Sequence, residues 1–375
     1  MIFKREFRLE TFSMPDTNPR FQTPVPVIIA SDPLPSLWPL STRERPFVFR
    51  RGPDGISPVH SILKALSKRP EFPLPILFAP DTAADAVLAD LADISPRPRV
   101  VFVPAADNPG CIAVLAALMN EGSAHSKQLA LIPANFRAQN LDAILDGICS
   151  MARRSAETGL PVAFVRPVRA RRDCVDSDIV LEASGREEKS RLPVGRVLTP
   201  AKFSSDIEAL IEMTAVVRSL GIFLGDGEAI LSRAASAHPD AFGACRLALA
   251  YADRNGSQTR SRLEFLALAR AVMINDLVGA SSLDLILHPV ADTAALVRTL
   301  ADVAPEYAAL AAKSRRVAVE GYSDCRVFAS EDGVLVVRQG LEHLARNHFE
   351  QYGAHHAYPA GSNPAEMTVK VRLTA

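Results

Sequence analysis

Short apolar runs alternate with longer segments of helical period through the first half of the chain. The runs are typical of buried β-strands, and we predict five of them, at Val25–Ala30, Leu74–Phe78, Arg99–Val103, Gln128–Ile132 and Val162–Val165. The segments between them predict helices at Pro58–Leu66, Thr82–Leu91, Pro109–Asn120 and Leu141–Ala156. Ser57 followed by Pro58 is a favourable N-cap and first-turn pair for the first helix.

Strand–helix alternation of this kind predicts an α/β fold with a doubly wound, mostly parallel sheet and helices on both faces. Ligands of such sheets bind beyond the carboxyl ends of the strands. We therefore expect the loop after the first strand, Ser31–Ser36, to lie where any chemistry takes place.

The second half of the chain has a different pattern. Residues 168–200 are rich in charge and predict an insertion or a surface hairpin, with one strand near Ile179–Glu182. Residues 203–313 are mostly helical by period, with helices predicted at Asp206–Val217, Glu228–Ser236, Ala241–Ala252 and Leu263–Leu277. Cys325–Ala329 and Val334–Val337 predict a small C-terminal β-hairpin. The predicted domains are an N-terminal arm (1–23), a main domain (24–313) and a C-terminal hairpin with a tail (314–375).

Composition narrows the possible partners and compartments. Lys plus Arg equals Asp plus Glu, at 42 each, so no basic excess points to nucleic acid or to an anionic membrane. The first residues lack the apolar segment of a secretory signal, and no apolar run reaches the about 18 residues that a membrane span needs. Five scattered cysteines without a C-x-x-C pair predict free thiols. We expect a cytoplasmic protein that binds neither nucleic acid nor membrane.

One segment links the chain to a known family. Val25–Phe49 reads VPVIIASDPLPSLWPLSTRERPFVF, and it holds the single tryptophan, Trp38. It resembles the opening of the mannose-1-phosphate guanylyltransferases, in which a strand is followed by a glycine-rich GGSGTR loop, by LWPLSR and then by PKQF. Trp38 in that motif either stacks on a base or, as the more ordinary role of a loop tryptophan, packs the loop against the sheet.

Weaker echoes follow in the family's order. Ile112–Leu118 resembles the helix after its RNTAP motif, Leu131–Phe136 resembles its LPADH motif, and Gly221–Leu224 resembles its WNSGIFLF motif. Ala271–Met273 resembles its IDYAVME motif, and Asp292 lies where its DVGSW motif begins. The resemblance covers about residues 24–340 and implies the Rossmann-like nucleotidyltransferase fold. It also implies substrate-pocket positions at Asn108, Asn135, Ser219 and Asp292, with Asp292 as a metal-ligand candidate.

The residues that perform the family's chemistry are largely replaced. That chemistry is attack of a sugar phosphate on a nucleoside triphosphate, which needs backbone N–H donors, cations and Mg²⁺ around the phosphates. The loop Ser31–Ser36 has no glycine and contains Pro33 and Pro35, which lack N–H groups. Asp32 brings a negative charge to this loop, and Ser36 stands where the family has its catalytic arginine.

Further replacements affect the cation and the metal ligand of the family. Phe47 stands at the position of the PKQF lysine, Asn135 at that of the magnesium-binding aspartate, and Ser219 at that of the WNSG asparagine. Asn108 ends an Ala-Asp-Asn sequence in place of RNT, and Thr199 replaces the lysine of the EKP motif. Asparagine is a neutral and weaker ligand for a hard cation than aspartate.

These losses favour a catalytically inactive relative. In this hypothesis the chain regulates or scaffolds an active sugar nucleotidyltransferase of GDP-mannose or polysaccharide metabolism, as a homo-oligomer or in complex with that enzyme, and binds a nucleotide sugar without a cofactor. One alternative is an active, divergent transferase that uses Mg²⁺ and makes GDP-mannose or a related nucleotide sugar. Another is a sugar-nucleotide-binding module of a different pathway.

Three other features predict no site. Asp85, Asp90 and Asp93 on the second predicted helix are typical of a solvent-facing surface. Gly225–Gly227 predicts a turn, and His355 and His356 belong to a predicted tail and are more typical of solvated residues than of a metal pair.

Overall fold

The computed structural model describes residues 23–32, 34, 41, 44–51, 55–104, 108–122, 127–138, 140–167, 180–183, 191–198, 215–267, 272, 277, 284–287, 294–296, 317–319, 325–329, 334–338 and 371–373. The chain divides into two compact units. The first comprises Met1–Asp32 and Arg51–Leu296, and the second comprises Pro33–Arg50 and Val297–Ala375. The domain boundaries predicted at residues 23 and 313 stay a prediction.

Strands and helices alternate through the first unit. Its strands are β1 (Val25–Ile29), β2 (Ile76–Pro80), β3 (Arg99–Val103), β4 (Gln128–Pro133), β5 (Phe136–Ala138), β6 (Val162–Pro167), β7 (Val180–Ala183), β8 (Arg191–Leu198), β9 (Ala215–Asp226), β10 (Asp253–Asn255), β11 (Gln258–Arg260), β12 (Asp284–Leu287) and β13 (Ala294–Leu296). Its helices are α1 (Pro58–Ser67), α2 (Ala84–Asp90), α3 (Pro109–Asn120), α4 (Leu141–Thr158), α5 (Gly227–Ala237), α6 (Pro239–Ala250) and α7 (Leu263–Ala267).

Eleven strands of the described residues form one sheet, in the order β10-β11-β3-β2-β1-β4-β9-β6-β12-β8-β7. The pairings between neighbouring strands show that eight strands run in one direction and that β8, β9 and β10 run antiparallel to them. The sheet is therefore mostly parallel, as the alternation predicted. β5 and β13 form a separate antiparallel pair.

The second unit contains two small antiparallel pairs. β14 (Val317–Val319) pairs with β17 (Val371–Leu373), and β15 (Cys325–Ala329) pairs with β16 (Val334–Arg338). The latter pair confirms the predicted C-terminal hairpin. A short 3-10 turn, Phe47–Phe49, belongs to the same unit.

The core of the first unit is organised around α3. This helix is apolar on all sides, and its residues from Gly110 to Ala117 are all buried. It contacts β1 and β4 on one side and α5 and α6 on the other, which is the environment expected of a helix without a polar face. α1 and α4 pack against each other, and α4 also contacts β6 and β9. Since alternate strand residues face opposite sides, the sheet carries helices on both faces.

Helix starts follow the capping signals of the sequence. The Ser57 hydroxyl accepts a hydrogen bond from the His60 N–H at 2.9 Å, with Pro58 in the first turn of α1, as predicted. Asn140 caps α4 and Asp226 caps α5 in the same way. The predicted turn at Gly225–Gly227 is wrong, because Gly225 and Asp226 end β9 and Gly227 begins α5 directly.

The region predicted to be mostly helical contains several strands. Residues 201–214 lie outside the described residues, but Val217, the predicted end of a helix, lies within the twelve-residue strand β9. The hairpin β10–β11 and the strand β12 were also missed. β9 is rich in valine, leucine and isoleucine, which pack well on a sheet, so its burial between β4 and β6 decided its conformation.

Asp90 is buried, which contradicts the predicted solvent-facing surface. Its side chain is 2% exposed, it accepts a hydrogen bond from the Ser57 hydroxyl, and Arg51 Nε lies 3.1 Å from its Oδ1. Asp85 and Asp93 are exposed as predicted. A buried carboxylate needs such partners, and Arg51 lies 39 positions away in the sequence.

None of the described helices is both long and apolar enough to cross a membrane.

A matched pair of glycine substitutions tests the backbone of β9. Gly221 has φ of +76°, a left-handed conformation that costs a residue with a Cβ about 1–2 kcal/mol. We expect Gly221→Ala to lower the free energy of unfolding by this amount in urea denaturation. Gly243 lies in α6, and a Cβ added there would have nothing within 4 Å, so Gly243→Ala should raise it by about 0.5–1 kcal/mol. Equal effects of the two changes would contradict the left-handed assignment.

Candidate functional site

The carboxyl ends of β1 and β4 meet at one edge of the sheet. Ile29 is paired with Pro133 in parallel register, and the Ala134 N–H donates to the Ile29 carbonyl at 2.8 Å. Ser31 and Asn135 each follow this paired position by two residues, so the backbone places them side by side. Asp32 is the next residue along the chain.

Of the described residues at this edge, Ser31, Asp32 and Asn135 have polar side chains, and none of these three is positively charged. Ser31 is buried, at 2% exposure, while Asp32 and Asn135 are partly exposed. A hydroxyl, a carboxylate and an amide are all able to accept hydrogen bonds. They suit the hydroxyl groups of a sugar, whereas a polyphosphate would be repelled by the Asp32 carboxylate.

Asn108 lies at the same edge, after β3, and its side chain supports the backbone. Its Oδ1 accepts a hydrogen bond from the Cys111 N–H at 3.2 Å, which caps α3, and a second from the Val272 N–H at 3.1 Å. The two lone pairs of that oxygen are therefore used by the protein. An Asn-Pro-Gly sequence after a strand is typical of a helix start, but no local pattern in the sequence indicated the hydrogen bond from the Val272 N–H.

Gly110 completes the attachment of Val272 to α3. Its N–H donates to the Val272 carbonyl at 2.9 Å, and a Cβ on Gly110 would lie 2.3 Å from that oxygen. Only glycine allows this approach. Val272 belongs to the segment that resembles the family's IDYAVME motif, and α3 contains the segment that resembles the helix after RNTAP. Two segments that resemble the family are therefore in contact at the start of α3.

Ser219 stands at this edge on β9, next to β6. It is 3% exposed, and its hydroxyl accepts a hydrogen bond from the Gly221 N–H at 3.0 Å. Between Ala163 and Val165 the pairing of β6 with β9 is shifted, as Ala163 faces Phe223 and Val165 faces Ser219. β9 therefore contains extra residues at this point, with Gly221 in the left-handed region, which is typical of a bulge beside a site.

Several predicted site residues lie outside the described residues. These are Ser36, Trp38 and Asp292, together with Pro33 and Pro35 of the loop. Leu34, between the two prolines, is described in the second unit and has φ of +48°. A left-handed conformation at a leucine costs backbone energy, so the loop contains a glycine-like conformation without a glycine.

The described part of the chain offers no metal cluster, and two of its free thiols have raised pKa values. No group of three or more His, Cys, Asp or Glu side chains is placed there to hold a metal ion. Cys111, Cys149 and Cys245 are free. Burial raises the pKa of Cys149 to about 11, and a hydrogen bond to Cys111 and burial together raise the pKa of Cys245, so both thiols stay protonated at neutral pH.

No protein-family model matches the sequence, and no curated protein matches it. Among solved structures, the mannose-1-phosphate geranyltransferase of Thermus thermophilus is similar, with a TM-score of 0.59, 18% identity, and coverage of 88% of this chain and 99% of that one. The mannose-6-phosphate isomerase of Helicobacter pylori is similar with a TM-score of 0.56 and 12% identity, over 72% of this chain and 98% of that one. Both likenesses concern the fold alone, and the predicted α/β fold with a mostly parallel sheet is confirmed.

Replacing Asn108 tests its structural role. Asn108→Ala leaves the N–H groups of Cys111 and Val272 without their acceptor, and we expect it to lower the free energy of unfolding by about 1–2 kcal/mol. It should also speed amide hydrogen exchange at both residues. Asn108→Asp is the control, because it keeps an oxygen acceptor at the positive end of a helix. Equal destabilisation by the two variants would show that the amide group, not the capping oxygen, is what the site needs.

Proposed function

We propose that this chain is a nucleotidyltransferase-like protein that binds a nucleotide sugar of the GDP-mannose type without catalysing its synthesis. In this role it regulates or scaffolds an active sugar nucleotidyltransferase, either as a homo-oligomer or in complex with that enzyme. No cofactor is proposed. The support comes from the resemblance of the sequence to mannose-1-phosphate guanylyltransferases together with the observed fold.

The observation that carries the proposal is the chemistry at the carboxyl ends of β1 and β4. Asp32 and Asn135 lie there, after adjacent parallel strands, in place of the glycine-rich loop and the acidic metal ligand that the resemblance implies. Phosphate transfer needs cations or N–H groups at that position. Of Ser31, Asp32, Asn108, Asn135 and Ser219, the one charged side chain is negative.

Binding of a product is compatible with these residues. A nucleotide sugar carries fewer phosphate charges than Mg²⁺-free GTP and adds several sugar hydroxyls, which hydroxyl, amide and carboxylate groups recognise. The positions of Ser31 and Asn135 on neighbouring strand ends supply a rigid base for such contacts, because strand ends fixed in a sheet lose little entropy on binding. These polar strand-end residues support a chain that has kept the ligand site but has lost the nucleotidyl transfer.

Isothermal titration tests binding. We expect GDP-mannose to bind, and GTP without Mg²⁺ to bind at least about tenfold more weakly, since Asp32 opposes the additional charge of the free triphosphate. Asn135→Ala should weaken GDP-mannose binding by about tenfold through loss of one ligand hydrogen bond. Asn255→Ala, at the exposed end of β10, is the matched control and should bind as the wild type does. Tight Mg²⁺–GTP binding would favour the active-enzyme alternative.

A pyrophosphate-release assay with GTP and mannose 1-phosphate tests turnover. We expect none from the wild type, from Ser36→Arg or from Asn135→Asp, because the members of a phosphate-transfer site act as a unit and restoring one leaves the others missing. An active guanylyltransferase serves as the positive control. Wild-type turnover that Asp292→Ala abolishes would overturn the proposal and establish a divergent enzyme with Asp292 as a metal ligand.

A further inference from the structure

Three arginines line one concave site at the opposite edge of the sheet. Arg99 begins β3, Arg246 lies in the last turns of α6, and Arg254 lies in β10. They line a cavity of about 410 Å³. Because β3 runs from Arg99 towards Asn108, the cavity lies at the amino end of the strand whose carboxyl end faces the candidate nucleotide-sugar site.

The positive charge in this cavity is not neutralised by the described part of the protein. No acidic side chain is among the residues that line it. Arg99 and Arg254 form no ion pair with any residue that the structure describes, and Arg246 has only the Phe242 ring, 5.9 Å from its guanidinium carbon. The neighbouring Asp253 carboxylate lies instead 3.8 Å from Arg262. Three like charges around one cavity repel each other unless an anion joins them.

The cavity is held in shape by backbone hydrogen bonds. Gly256 and Ser257 form the two-residue turn between β10 and β11, with Gly256 at φ of +56°, as tight hairpins require. The Val100 N–H donates to the Ser257 carbonyl at 2.8 Å, which fixes the turn beside Arg99. Ser257 and Thr259 add hydroxyl groups to the lining, and Leu118 and Leu249 add an apolar surface.

We propose that this cavity is a second binding site, for the phosphate group of a small phosphorylated metabolite. Guanidinium groups pair with phosphate oxygens in bidentate geometry, and hydroxyl groups complete such sites. The volume lies in the range of small-molecule pockets, about 300–1,000 Å³, and the apolar surface receives the carbon part of the ligand. A small ligand fits better than nucleic acid, since the whole chain has no basic excess. The site is independent of the proposed nucleotide-sugar function.

Titration with inorganic phosphate and with pyrophosphate tests the site, in a buffer held at constant ionic strength with sodium chloride. We expect saturable binding by the wild type, and a loss of about tenfold or more in affinity for Arg254→Gln, which removes one charge-assisted pair. Arg97→Gln is the matched control, because Arg97 is an exposed arginine of the segment before β3 that does not line the cavity. It should bind as the wild type does. Asn135→Ala should also leave phosphate binding unchanged.

Thermal unfolding without phosphate shows whether each variant is folded. If Arg254→Gln is not folded, Arg254→Lys takes its place in the phosphate titration. The lysine keeps the charge but loses the bidentate geometry, so we expect intermediate affinity. Absence of saturable binding by the wild type, or equal losses in Arg254→Gln and Arg97→Gln, would overturn the proposal. Binding of a DNA duplex that Arg254→Gln abolishes while phosphate binding is absent would assign the cavity to a macromolecule instead.

Discussion

The burial of α3 is the constraint on which the rest of the first unit depends. The helix is apolar on all sides, so it is stable only with the sheet on one side and α5 and α6 on the other. Its N-terminus must then be satisfied inside the protein, and the Asn108 side chain does this. The same oxygen holds Val272, and Gly110 permits the contact. Packing of one helix thus determines the conformation of the chain at the edge where the candidate site lies.

The first half of the fold could be predicted from the sequence because its signals are local. Continuous apolar runs marked β1 to β4, and Ser57 followed by Pro58 marked the start of α1. The second half could not be predicted in this way. β9 has apolar residues whose spacing also fits a helix, and its conformation follows from pairing with β4 and β6, which are distant in the sequence. The same holds for Asp90, whose partner Arg51 no local pattern reveals.

The candidate site was predictable in position but less so in detail. The rule that ligands bind at the carboxyl ends of parallel strands pointed to the loop with Ser31 and Asp32, and the family resemblance implied Asn135. The register of β1 with β4 brings Ser31 and Asn135 to one edge. Asn108 and Ser219 were also placed at this edge, but each bonds to backbone N–H groups. A sequence shows which side chains are polar, whereas only the structure shows that a nearby backbone group already uses them.

The position of α3 has a mechanical consequence for the whole domain. Its first turn is attached to Asn108 at one edge of the sheet, and Leu118, near its last turn, lines the arginine cavity at the other. Twelve helical residues span about 18 Å, which exceeds the distance of about 10 Å over which charges act through salt solution. Between solvent-exposed groups, a charge bound at one end is therefore largely screened from the other. The close-packed interior around α3, however, has low compressibility and transmits strain, so the two edges are joined by packing rather than by charge.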